Sequence, residues 1–329
     1  MNQGPVLGID IGGTKLAAGV VGPAGDVLSY LRAPTAGDRT ADELLAVVVH
    51  LAQRAIAASG ATPGAVGIGC GGPMIFPDGI VSPLHIPAWR DFPLRARLAE
   101  ALGLPAVLDN DAKAFALGEA LFGAGRGSRC LLGMVVSTGV GGGLVVNGRL
   151  HHGASGNAGH VGHLIVSAQG PRCYCGAIGC LTVYASGVGL AARAQAALRR
   201  GTPSSLAELP LDDVTAEAIA TAARAGDTLA ARLMREAGQA LARGIASAAA
   251  LVDLDRVVLG GGIAQTGDLL FAPLRAELRR RACLAFTRDL DVRPAALGRE
   301  AGVVGAAALA LRGAPDNNNS APGTSSSGD

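Results

Sequence analysis

Three groups of residues are spaced for chemistry. The first is a pair of glycine-rich stretches, Asp10-x-Gly12-Gly13-Thr14-Lys15 and Thr138-Gly139-Val140-Gly141-Gly142-Gly143. Glycines let a backbone approach an anion closely, and their free N–H groups with a threonine hydroxyl suit phosphate oxygens. Neither stretch has the Walker spacing and neither opens a helix, so a P-loop and a dinucleotide fingerprint are both excluded. One such turn alone is also what a plain hairpin needs. Two of them, flanking Asp109-Asn110-Asp111 at a strand end, point to a nucleotide clamp. Gly260-Gly261-Gly262 is a third close-approach site, suited to a flat base and ribose. The second group is the Asp-Asn-Asp triplet itself. Asp111 has the placing either of a general base or of a cap for the helix that follows. The third group is His163, Cys173, Cys175 and Cys180, spaced H-x₉-C-x-C-x₄-C. Three thiolates and one imidazole fill a tetrahedral zinc shell with no open position, which defines a structural site.

The elements that must position these groups follow from periodicity. Val6–Ile11 and Lys15–Val21 read as strand–turn–strand around Gly12–Thr14, and Val27–Arg32 as another strand. Ala41–Ser59 has helical periodicity, Ala65–Cys70 is a strand ending in Gly71-Gly72-Pro73, and Leu94–Leu102 is a helix. Ala106–Leu108 delivers the acidic triplet to a helix over Ala112–Phe122. The unit then repeats: strand Cys130–Val136, turn Thr138–Gly143, strand Leu144–Val146. Helices follow at Val188–Arg199, Ala216–Ala225 and Thr228–Leu251, then strand Arg256–Leu259 and helices Leu269–Arg281 and Gly302–Leu311. Alternating strands and helices predict an α/β architecture with duplicated halves.

Composition narrows the classes. At 329 residues the chain is long enough for two domains, and with 49% apolar residues it can bury a large core. A net charge of +2 argues against nucleic acid as a partner, and Arg279-Arg280-Arg281 reads as a solvated helix face. The apolar run near Ile245–Leu254 is interrupted by Arg243 and Asp253, so no membrane span is expected. Met1-Asn2-Gln3 leads straight into a strand without a signal peptide. Six cysteines, three of them clustered, suit a reducing cytoplasm better than a disulfide framework, and Cys70, Cys130 and Cys283 read as core residues. From Ala314 onward the polar composition predicts a disordered tail.

Asp10–Lys15, Asp109–Ala112 and Thr138–Gly143 together resemble the actin-like ATPase fold of the hexokinase superfamily. Gly153–His163 and the Cys173–Cys180 cluster resemble the signature and zinc loop of the ROK family, and the similarity runs from about Val6 to Leu311. The resemblance implies a two-domain actin-like (ribonuclease H-like) fold with an interdomain cleft. Residues 1–111, completed by a helix at about 300–313, would form the N-terminal domain. Residues 112–299 would form the larger one, with 314–329 the tail. It implies ATP and Mg²⁺ at Asp10, Gly12, Gly13, Thr14, Lys15, Thr138 and Gly139, with Gly261 and Gly262 lining the adenosine pocket. A sugar or sugar-like polyol would be held by Gly72, Asn110, His160, His163 and Thr182. Asp111 would be the general base of phosphoryl transfer to a primary hydroxyl. Family analogy also implies a homodimer.

Sugar-phosphorylating ROK kinases usually carry glutamate where this chain has His160 and Thr182. A carboxylate accepts two hydroxyl protons, whereas neutral imidazole accepts one and donates one. Losing two charged acceptors at roughly 1.5–3 kcal/mol each weakens the grip on an unmodified hexose. Three readings stay open: a kinase for a ring that presents acceptors, as a C7-cyclitol does; a kinase for a glucose-type sugar or N-acylhexosamine, still held by His163 and Asn110; or a non-catalytic sugar sensor. Family repressors carry an N-terminal helix-turn-helix, for which the turn at Asp10 leaves no room. Trp89 reads as a packing anchor or a lid, His85 as a loop residue able to touch ligand, and His151 and His152 as bordering the pocket.

Overall fold

A computed structural model describes residues 4–35 and 39–312; the tail expected from residue 314 onward lies outside the described residues. Two five-stranded sheets organise the chain. The first contains β1 (Val6–Ile11), β2 (Lys15–Val21), β3 (Leu31–Pro34), β4 (Val66–Cys70) and, after a small hairpin of β5 (Met74–Ile75) and β6 (Ile80–Val81), β7 (Ala106–Asn110). Its order is β3-β2-β1-β4-β7. Helices α1 (Ala41–Ser59), α2 (Leu94–Leu102) and α3 (Asp111–Phe122) lie between and after its strands. The second contains β8 (Cys130–Val136), β9 (Val140–Val146), β10 (Arg149–Leu150), β11 (Arg256–Gly260) and β12 (Asp291–Pro294), in the order β10-β9-β8-β11-β12. Its helices are α4 (Leu181–Ala185), α5 (Gly187–Arg199), α6 (Ala216–Arg224), α7 (Thr228–Val252) and α8 (Asp268–Arg281), while the last helix, α9 (Ala301–Arg312), returns to the first sheet. Each sheet is an antiparallel meander extended by two parallel strands, so the duplication read from the glycine turns is a duplication of topology.

Parallel pairing sets the site. Ile11 lies opposite Cys70, and Cys70 opposite Asn110, so β1, β4 and β7 end on one edge. In the second sheet Val135 lies opposite Gly260, which brings the ends of β8 and β11 together in the same way. The carboxyl edge of a parallel sheet is where open α/β folds bind ligands.

The abundance of glycine and alanine is explained by close backbone packing. Helix α9 lies across β1 and β4, where a side chain at Gly8 or Gly67 would collide with the carbonyls of Val303 and Ala306. Helix α3 lies on β8 and β9 in the same manner, and the two helices cross where Gly118 faces the Gly305 backbone, with only 2.8 Å for an added Cβ. The first sheet shares its core with α1 and α2, and the second with α4–α8. Helix α1 starts at a capping box between Thr40 and Glu43 and stops at Gly60 in the left-handed region.

Several boundaries differ from the sequence expectation. The segment Gly141–Gly143 is strand, not turn; Gly141 and Gly143 admit α3, since Cβ atoms there would meet Ala112 and Lys113, while a Cβ on Gly142 would meet Gly133 O and Val161. Strand β7 runs two residues further, to Asn110. The strand expected over Val27–Arg32 forms instead at β3, with Val27 making only an isolated bridge to Val21. Among the described residues, no helix is long and apolar enough to cross a membrane. Trp89 is fully buried and its indole N–H donates to Ala41 O at 3.1 Å, which makes it an anchor rather than a lid. Cys70 is buried as expected, but Cys130 is only half-buried and Cys283, in the segment after α8, is exposed.

Candidate active site and cysteine cluster

The β1–β2 turn is fixed from behind. Gly12 N–H donates to Lys15 O at 3.0 Å, the Thr35 hydroxyl donates to Gly12 O at 2.7 Å, and Thr35 N–H donates to Thr14 O at 3.2 Å. Gly13, Thr14 and Lys15 stay exposed at its tip. Just before the turn, Asp10 sits under the start of α9, where a side chain on Gly302 would strike its carboxylate. Burial, reinforced by the Asp111 carboxylate and partly opposed by Lys15, pushes Asp10 up to about 7. Burial also raises Asp111, against the lowering effect of the Ala112 N–H. The neighbouring Cys70 thiol is pushed well up by burial and by both carboxylates. Two desolvated acids therefore share one sheet edge with an exposed glycine–threonine turn.

Asn110 and Asp111 divide the helix start between them. Asn110 is the N-cap of α3, its side-chain oxygen accepting from Ala112 N–H at 3.1 Å, while an Asp111 carboxylate oxygen accepts from the same N–H at 2.8 Å. Capping thus does not require an acid at 111. Asn110 Nδ2 lies 4.0 Å from where a Gly72 side chain would begin, so these two expected acceptor residues are neighbours. His160 is exposed, with Nε2 3.3 Å from Asn157 Oδ1. Burial of its ring, His163 and Lys113 hold it below the ordinary imidazole range. Thr182, by contrast, is buried in α4.

A polar cluster that sequence reading did not find joins these parts. Asp109 and Lys113 are both buried, with Lys113 Nζ 3.2 Å from Asp109 Oδ1. Asp109 Oδ1 also accepts from Asn110 N–H at 2.7 Å. Its Oδ2 lies 3.2 Å from His152 Nδ1. Lys113 donates to Gly156 O, and its ammonium stands 5.6 Å from the centre of the Phe76 ring. Phe76 in turn stacks on His152 at 4.4 Å. One buried carboxylate therefore ties the end of β7 to His152 directly and to Gly156 through Lys113. The i,i+4 Asp–Lys spacing across the strand–helix junction was the one signal available; Phe76 and His152 arrive by tertiary folding.

The second half supplies the matching turn. Ser137 N–H donates to Gly139 O at 2.9 Å, and Gly187 N–H to Ser137 O at 2.7 Å, which leaves Thr138 and Gly139 at the tip. Gly261 has φ +91° and lies against Val136, while Gly262 faces Ser137 Oγ. The expected phosphate and adenosine residues of this half are thus brought to one edge.

His163, Cys173, Cys175 and Cys180 converge, their ligand atoms all within 4.8 Å of one another. Cys175 Sγ is 3.6 Å from Cys180 Sγ, and Cys173 Sγ is 3.8 Å from His163 Nδ1. A tetrahedron with Zn–S bonds of 2.3 Å has edges of about 3.8 Å, so these side chains fit a four-coordinate zinc. His163 Nε2 is 3.1 Å from the Tyr174 hydroxyl, the partner that an acceptor hydroxyl at that nitrogen would share or displace. Burial and the neighbouring thiols push Cys180 up to about 12.

The profile of the ROK family matches residues 6–313. A glucokinase from Streptomyces coelicolor is 36% identical over 320 residues, covering 94% of this chain and 98% of its own. An N-acetylmannosamine kinase from Shigella boydii is 35% identical over 316 residues, covering 92% and 97%. The crystal structure of a ROK family glucokinase from Streptomyces griseus in complex with glucose and AMPPNP superposes with a TM-score of 0.79 at 35% identity, covering 94% of this chain and all of that one. With a family profile spanning nearly its whole length and relatives above 30% identity from end to end, the chain belongs to the ROK family.

Proposed function

We propose that the protein is an ATP-dependent carbohydrate kinase that phosphorylates the primary hydroxyl of a six-membered polyol ring, with Asp111 as general base. The observation that carries this reading is the pair of desolvated, partly accessible carboxylates, Asp10 and Asp111, on the sheet edge that also bears the exposed Gly13–Thr14 tip. The glucokinase and N-acetylmannosamine kinase relatives, and a relative bound to glucose and AMPPNP, support the donor and the acceptor class.

Phosphoryl transfer asks the protein chiefly for alignment and charge neutralisation. The two threonine–glycine tips would hold the donor phosphates through backbone N–H groups. Asn110 would fix a ring hydroxyl, and Asp111 would accept the proton of its neighbour as that oxygen bonds to phosphorus and the bond to ADP breaks. A carboxyl pushed up by burial is a stronger base once ionised, which suits this task. Asp10, raised to about 7, is a group that a divalent cation would discharge, and Mg²⁺ supplies neutralisation of the phosphate charge there. Zinc, held by His163 and the three cysteines, would fix the loop that carries His160.

His160 and buried Thr182, in place of two carboxylates, favour a ring presenting a hydrogen-bond acceptor such as a carbonyl, as N-acylhexosamines and keto-cyclitols do. The crossing of α3 and α9 at Gly118 and Gly305 would be the hinge between residues 1–111 with α9 and residues 112–299. ADP release measured over hexoses, N-acylhexosamines and cyclitols tests the proposal. Saturable binding of a ring with no ADP formed would replace the kinase with a sensor.

A further inference from the structure

The segment between β6 and α2 carries a side chain that the mechanism above leaves unused. His85 packs directly on the β1–β2 turn: a Cβ on Gly13 would collide with His85 Cβ and lie 3.2 Å from its Cγ. Gly13 is thus glycine because His85 occupies that space. The segment is held stiffly. The Arg90 guanidinium donates to the carbonyls of Pro83 at 3.0 Å, Ile86 at 2.9 Å and Trp89 at 2.7 Å, and buried Trp89 is pinned to α1. The Ser82 hydroxyl, beside this turn, accepts from Asp91 N–H at 2.9 Å. On its other side the segment is tied to the acceptor edge, since Leu84 N–H donates to Gly72 O at 3.3 Å and Gly72 neighbours Asn110. His85 therefore stands between the Gly13 turn and Gly72, at the seam between the residues expected to hold phosphate and those expected to hold the acceptor. Its ring is exposed and makes no hydrogen bond among the described residues.

We propose that His85 is a catalytic residue that donates an imidazole N–H to the equatorial oxygens of the γ-phosphoryl group as it moves from ADP to the ring hydroxyl. The assignment rests on the kinase reading. The bond from phosphorus to the ADP oxygen breaks, the bond to the ring oxygen forms, the hydroxyl proton goes to Asp111, and His85 exchanges no proton. In a loose transition state the charge spreads over those three oxygens, and a donor carried there on a stiffly held segment stabilises it more than it stabilises bound ATP.

The test compares wild type, His85→Ala and His85→Gln with saturating MgATP and an acceptor that the wild type phosphorylates. His85→Ala lowers kcat on the order of 100-fold, the scale of removing one preorganised donor. The acceptor KM and the Kd for AMPPNP stay within about threefold of wild type, because the ground state barely uses the contact. His85→Gln, which keeps an N–H near the Nε2 position, recovers about tenfold. The assignment is overturned by a His85→Ala kcat within threefold of wild type, by a loss that appears only as a raised acceptor KM, or by a glutamine variant no faster than alanine. A wild type that releases no ADP with any ring overturns the kinase reading and this assignment with it. An active wild type beside an unimpaired His85→Ala overturns the assignment alone.

Discussion

Replacing Asp10 by asparagine should stabilise the nucleotide-free protein at alkaline pH and leave it unchanged in acid. The folded protein raises this carboxyl from 3.8 to about 7 through burial and the Asp111 charge. Between those values the folded state holds a proton that the unfolded state releases, so stability falls as pH rises from about 4 to 7. Above 7 the wild type carries the whole penalty, and Asp10→Asn, an isostere of the protonated acid, carries none. At 1.36 kcal/mol per pH unit the raise corresponds to about 4 kcal/mol. Asp10 is partly accessible, and solvent screening reduces the expected difference to about 2 kcal/mol. Asp111 is raised in the same direction in both proteins and largely cancels. The assay is thermal or urea denaturation of both proteins from pH 4 to 8 without nucleotide. Asparagine should raise Tm by about 4 °C at pH 8, with the curves converging near pH 4. A difference that does not vary with pH, or a wild type more stable at pH 8, would refute the electrostatic reasoning.

Three other outcomes follow from the same geometry. Stripping the cysteine cluster with a chelator should raise the acceptor KM while leaving AMPPNP affinity unchanged, because the cluster lies in the loop after His160, whereas the two threonine–glycine tips are held by hydrogen bonds of their own; unchanged activity in demonstrably zinc-free protein contradicts this. Lys113→Met should unpair Asp109 and free Gly156 O, weakening the acceptor about tenfold with less than a twofold effect on ATP, read from the two KM values in one coupled assay. His160→Glu places a charged acceptor where the proposed acceptor site has imidazole and should tighten glucose binding by about 1.5–3 kcal/mol, roughly 10- to 100-fold by calorimetry.

What the sequence disclosed was whatever is local. The cysteine cluster is legible because its four ligands fall within eighteen residues and their chemistry admits few readings. Asp111 and the two threonine–glycine tips are legible because each follows a run of strand period. The glycines of β9 misled for a physical reason: glycine marks close approach as well as turns, and there the approaching body is α3. Strands β5, β6 and β10, two residues each, are too short to show a period, and β12 is polar at its exposed end. The Asp109–Lys113–His152–Phe76 cluster draws on three separated segments, so only folding assembles it. His85 is similar: nothing near it in sequence announces that Gly13 lies beneath.

The most direct measurement is the turnover of Asp111→Asn with MgATP and the best acceptor. Asparagine can still accept from Ala112 N–H, and Asn110 remains the helix cap, so fold and binding should persist. Loss of the base should lower kcat by about 10²- to 10⁴-fold with both ligands still bound. An amide variant that turns over at the wild-type rate would contradict the account.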